Sequence, residues 1–184
     1  MLTLDVCCQD SYNAQSPFLQ NRIHRTFGVG PAQPAYLFFS LPVCLPSRIL
    51  QAAKLLLFPF PNHYCGECPT PAPFHLYPLT MPYSLFSAYY PPPTVNCRLR
   101  VDFAVPVTQC CAEIDLTEIV KNWYAGSLEN RGLLLTAEAD APSRLFASAD
   151  FEVAGMRPQL RMTCREDTPL APLSDVSCDV ALHI

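Results

Sequence analysis

The chain has 184 residues, 50% of them hydrophobic, with a formal net charge of -4 and a pI near 5.5. This fits a single domain with a filled core and excludes a largely disordered chain. The 12 Lys and Arg are scattered, which argues against nucleic acid as a partner, and no apolar run approaches the ~20 residues that span a bilayer.

Met1 is followed by LTLDVCCQD, without a basic start or an apolar stretch. The expectation is no secretory signal, and cytoplasmic synthesis with deposition in a coat or envelope left open. Residues 1–8 are read as an N-terminal lead to a domain over 9–166. Gln9 to Phe27 is polar, with edge strands expected at Asp10-Ser11-Tyr12 and at Asn21 to Thr26. Gly28 and Gly30 are expected to turn the chain before Pro31. AYLFFSL, Ala35 to Leu41, is a short apolar run between prolines and suits a buried strand. Gln51 to Phe58 is a second strand, since Pro59 and Pro61 stop a helix there.

The 20 prolines concentrate from residue 59 to 95, read as an irregular insert in which Phe74 to Tyr77 can form a strand. Cys97 to Val105 alternates, with Leu99, Val101, Phe103 and Val105 on one face. A short helix follows. Asp115 is its expected N-cap, with Glu118 three residues on as a capping box. Leu116, Ile119, Val120 and Trp123 share one apolar face, and Gly126 ends the helix. Asn130 and Gly132 suit a turn, Asn by bonding local backbone and Gly by allowing positive φ. Strands follow at Gly132 to Thr136, Leu145 to Phe151 and Pro158 to Cys164. Residues 167–184 read as an acidic tail. Many short strands and one brief helix predict an all-β sandwich of antiparallel strands.

Chemistry is sparsely signalled. None of His24, His63, His75 and His183 has a carboxylate or nucleophile at a recognisable spacing. No nucleophile elbow, zinc-helix motif or phosphate-binding loop is present, so the expectation is not an enzyme. The 10 cysteines match no disulfide framework. Cys65 and Cys68, with His63 beside them, could grip zinc, but no second CxxC completes the site. Glu138, Asp140 and Asp150 could gather around calcium, or be solvated turn carboxylates. No cofactor is therefore expected. Tyr83, Phe86, Tyr89 and Tyr90 could stack on sugar rings or cover a sandwich edge. Trp123, at apolar helical spacing, is expected in the core rather than on a ligand platform.

QDSY, RIHRTFGVG with AYLFFSLP, ILQAAKLLLF, HLYPLTMPYSLFSAYYPPPTVN, and above all EIDLTEIVKNWYAGSLENRGLLL with RLFASADF and RPQLRMTC, carry a family likeness. The pattern resembles the DNRLRE domain family, related to disaggregatase repeats and carbohydrate-binding-like jelly rolls. Tyr83 and Tyr89 or Tyr90 stand where that family has tryptophans, Ser40 stands where an Asp is common, and the cysteines around Cys65 are foreign to it. The resemblance implies a jelly-roll sandwich in a bacterial surface, adhesive or wall protein and no catalytic set. Its partners would be proteins of an assembly, or a glycan.

Overall fold

The computed structural model describes residues 1–13, 25–42, 50–60, 72–83, 93–105 and 110–165. Its first strand is β1, Leu2–Cys7, and it is not a lead. Leu2, Leu4 and Val6 alternate with polar residues, and β1 pairs antiparallel along its whole length with the last strand, β11, Gln159–Cys164. The two segments are adjacent in space and far apart in sequence, which is why β1 looks isolated when read along the chain.

The other strands are β2 (Asp10–Asn13), β3 (Thr26–Val29), β4 (Ala35–Phe38), β5 (Leu50–Leu57), β6 (Ala72–Pro78), β7 (Val101–Val105), β8 (Ala112–Asp115), β9 (Leu133–Ala137) and β10 (Arg144–Ala147). One sheet has the order β1-β11-β5-β8 and the other β2-β4-β9-β6-β7, all neighbours antiparallel. The chain changes sheet at most of its connections, giving the jelly-roll order of two four-stranded halves, with β2 added at one edge. The pair β3–β10 lies beside the end of β5, where Pro59 bridges to Phe146.

Alternation sets the core. Ala35, Leu37, Phe74, Leu76, Leu133 and Leu135 from one sheet share a single cluster with Leu55, Leu57, Ile114, Leu160 and Met162 from the other. Phe146 links Phe27, stacked at 5.6 Å, to Phe74, edge-on at 5.9 Å. Within the proline-rich centre, β6 is a full inner strand between β9 and β7. Pro73 faces out from that strand. The alternation expected from Cys97 begins only at Val101, because Cys97–Leu99 form a 3-10 turn capped by Asn96. The glycine turn is also displaced. Gly28 lies within β3, and the turn forms at Pro31-Ala32, where Gly30 and Gln33 exchange backbone hydrogen bonds.

The single α-helix among the described residues, α1, spans Thr117–Ala125 and buries Ile119, Val120 and Trp123. Its start differs from the expected capping box. Asp115 ends β8, and its Oδ1 accepts the Thr117 N–H at 2.8 Å and the Thr117 hydroxyl at 2.6 Å. Thr117 Oγ1 in turn accepts the N–H of Ala53 in β5. Thr117 thus takes the carboxylate, and Glu118 makes no reciprocal bond. Gly126 closes the helix at φ +71° and donates to the Trp123 carbonyl, as expected of a left-handed C-terminal glycine. Among the described residues no helix is long and apolar enough to cross a membrane.

Candidate functional site

The richest arrangement of polar and aromatic side chains lies on the outer face of the five-stranded sheet. Because Phe74, Leu76, Leu133, Leu135, Ala35 and Leu37 point into the core, the alternate residues face out. Register sets Tyr36 beside Leu134 and Leu134 beside Tyr77, then Thr136 beside His75 and His75 beside Asp102.

His75 is the centre of the polar half. Its Nδ1 lies 2.6 Å from Asp102 Oδ1 and its Nε2 lies 2.7 Å from Glu138 Oε1. A ring nitrogen that carries a proton donates to the carboxylate it faces. Arg100 donates to the other oxygen of Asp102 at 2.8 Å and also bonds Tyr77. The Asp102 carboxyl is held below its ordinary range, first by the His75 hydrogen bond and then by Arg100. One ring therefore ties β6 to β7 and to the residue just past the end of β9. Spacing along the chain pairs no histidine with a carboxylate; in the fold His75 has two, 27 and 63 residues away. The available signal was that His75 occupies the polar phase of an otherwise apolar strand.

The aromatic half holds Tyr83, one of the expected sugar-stacking residues. Its ring stacks on Tyr36 at 4.2 Å and tilts against Phe38 at 5.9 Å. Tyr36 is only 3% exposed, so this stack covers the sheet more than it offers an open platform. Burial pushes both phenol groups up, as desolvation disfavours phenolate. Phe86, Tyr89 and Tyr90 lie outside the described residues, as do His63, Cys65 and Cys68.

The remaining sequence candidates serve the fold. Trp123 is 7% exposed and sits in the core. Asn130 donates from Nδ2 to the Phe39 carbonyl at 2.8 Å and accepts from the Gly132 N–H at 3.4 Å. Gly132 has φ +96°, so both residues form the turn into β9 as expected. Among the described residues no three His, Cys, Asp or Glu side chains gather as a metal site, so Glu138, Asp140 and Asp150 do not meet around one point. Glu138 is spent on His75. The sequence also gave no sign of Arg144, which is 6% exposed with Nε and Nη2 lacking any hydrogen-bond partner.

The chain matches no family model and no curated protein.

Proposed function

We propose that the chain is a non-catalytic structural or interaction module, of the DNRLRE-like kind, working within a bacterial surface, wall or coat assembly. The observation that carries this reading is the use of His75. Both ring nitrogens lie against carboxylates, leaving neither for a nucleophile, a substrate or a metal. Among the described residues three further candidates are also engaged: Asp115 by Thr117, Asn130 by the Phe39 carbonyl, Trp123 by the core. A scaffold that spends its polar groups on cross-strand contacts gains rigidity. Cell fractionation tests the reading. The chain should travel with a particulate coat or envelope fraction, and recovery wholly in the freely soluble pool would overturn it.

A second reading, a carbohydrate-binding module, is favoured by one observation. Tyr83, Tyr36 and Phe38 share a sheet face with Tyr77, Arg100 and Asp102, which places rings and hydrogen-bonding groups on one surface. A glycan array separates the two. The module reading expects no glycan retained in a Tyr83-dependent way. Retention that vanishes in Tyr83→Ala, with unchanged melting, would favour the sugar reading.

A further inference from the structure

β1 is the outermost strand of its sheet, with β11 on one side and, among the described residues, no strand on the other. Its six residues give about 20 Å of edge at the usual rise per residue. Proteins normally blunt such an edge with proline, lysine, a bulge or a covering segment. LTLDVC has none of the first three: its pairing to β11 is unbroken, and its one charge, Asp5, is drawn sideways onto Arg161 through two bonds of 2.8 and 3.0 Å.

The phase of the edge follows from the ladder. Cys8, opposite Pro158 one step beyond the strand, donates its N–H to the Pro158 carbonyl at 2.8 Å. In an antiparallel pair, such bonded positions recur every second residue. Leu2, Leu4 and Val6 therefore bond to β11, and Thr3, Asp5 and Cys7 turn their N–H and C=O groups to the open side. The side chains obey the same alternation. Leu2, Leu4 and Val6 lie over the buried Cys164, Met162 and Leu160, yet Leu4 and Val6 are only half-buried and Leu2 is 46% exposed. The edge thus leaves both a row of backbone groups and a row of apolar side chains incomplete.

We propose that a second copy of this chain completes both rows, adding its own β1 antiparallel to the first across a two-fold axis. The sequence of β1 accommodates its own copy, and its one charge bears on the register. Continuing the sheet requires outward-bonding residues to face one another, so Thr3, Asp5 and Cys7 must pair among themselves. Placing Asp5 opposite Asp5 of the second copy sets like charges together, which is destabilising. Placing Leu4 opposite Leu4 of the second copy avoids this. Thr3 then exchanges both backbone bonds with Asp5 of the second copy, and the symmetry repeats the pair. On the core side, Leu2 meets Val6 of the second copy, covering the most exposed leucine of the strand. An isologous contact of this kind closes as a dimer and does not propagate. The proposal deepens the interaction-module reading by naming a contact surface. It fails separately, because a purified chain that stays monomeric while still fractionating with an assembly refutes only the pairing.

The test uses the full chain in reductant, so that no cysteine bridge contributes. Sedimentation over rising concentration should show a monomer–dimer equilibrium. Amide exchange should protect Leu4 and Val6 at every concentration, and Thr3 and Asp5 only as dimer forms. Thr3→Pro, which deletes an outward N–H and spares the β11 ladder, should abolish association. Thr3→Asp should weaken it and Thr3→Lys strengthen it, each by roughly three- to tenfold, since two symmetric cross-strand charge pairs change. A chain monomeric throughout, or a dimer indifferent to Thr3→Pro and to the sign of the charge at position 3, would overturn the proposal. So would Thr3 and Asp5 amides already protected in the dilute monomer, which would mean that the chain's own residues occupy the edge.

Discussion

The ring of Phe38 lies across the backbone of Gly132, where an added Cβ would come within 2.7 Å of Phe38 Cδ1 and 2.9 Å of the Leu37 carbonyl oxygen. Gly132 also holds φ +96°, a region that side chains rarely enter. Two penalties therefore meet at one residue, and the carbonyl cannot swing aside without breaking into β4. Gly132→Ala should destabilise the fold by about 1–3 kcal/mol in chemical denaturation, the usual cost of a strained backbone position. An unchanged midpoint would show that the turn relaxes freely.

The acid limb of stability should follow the cross-strand carboxylates. Asp5, Asp102 and Asp115 are held below their ordinary value of 3.8, and Glu113 below 4.5, by Arg161, His75, Thr117 and Lys54 respectively. A carboxyl depressed in the folded chain contributes stability above its unfolded value and loses it as pH falls through its folded value. Stability should thus decline from about pH 4.5 downward, and less steeply in Asp102→Asn. Because these groups are largely exposed, added salt should shrink the effect. Carbon-13 titration offers a direct reading. The Asp102 midpoint should lie below 3.8 and rise in His75→Gln, since the imidazole hydrogen bond is its main cause. No movement on that substitution would remove His75 from the account.

Local patterns carried most of the fold into view. AYLFFSL between prolines, the alternation of Val101 to Val105, and the apolar stripe of Ile119, Val120 and Trp123 each report their own element, because period alone reveals the buried face. Contacts set by register were not readable. β1 acquires meaning only from β11, and the His75 clamp needs β7 and the end of β9 to arrive on either side of β6. The glycine at position 28 misled for a physical reason. Turn-forming freedom is one use of glycine, close packing is another, and a Cβ at Gly28 would meet the Gln33 side chain at 2.8 Å. Asp115 is not the N-cap expected of it: Leu116 holds that position, and the Asp115 carboxylate one residue earlier is taken by Thr117.

Trp123 is the only tryptophan and lies in the core, so its fluorescence reports global unfolding. Trp123→Ala should cost about 3–5 kcal/mol, as for other buried large aromatic side chains. Its Nε1 is buried without a partner, so the indole brings a polar penalty along with its bulk. Trp123→Phe should therefore be distinctly milder than Trp123→Ala. Equal losses in the two variants would show that the packing cannot accept any smaller ring.

Arg144 offers the opposite case. It sits opposite Val29 at the start of β10, buried, with Nε and Nη2 unpartnered. An unpaired buried polar group costs about 1–3 kcal/mol, and more where it is charged. Arg144→Met keeps much of the length of the side chain and removes that cost. Thermal melting should rise in the variant, and a fall would mean that the aliphatic stem contributes more than the unpaired head withdraws.

The thiols should separate by burial. Cys8 is buried, donates its S–H to the Asp10 carbonyl at 3.0 Å, and is pushed up to about 12, chiefly by desolvation. Its chain neighbour Cys7 is exposed on the outer face of β1, as are Cys97 and Cys110 elsewhere on the surface. Since the thiolate is the reactive form, a maleimide at neutral pH should label Cys7, Cys97 and Cys110 first among the described cysteines. Cys8 and the buried Cys164 should react only as the sandwich opens, so their rates should track the unfolding equilibrium and rise with denaturant. Adjacent residues with opposite reactivity make the comparison internal, because Cys7 and Cys8 share one peptide and one local sequence. Mass spectrometry of that peptide should show a single adduct on Cys7 in the native chain. Equal labelling of Cys8 without denaturant would mean that the edge formed by β1 opens independently of the core.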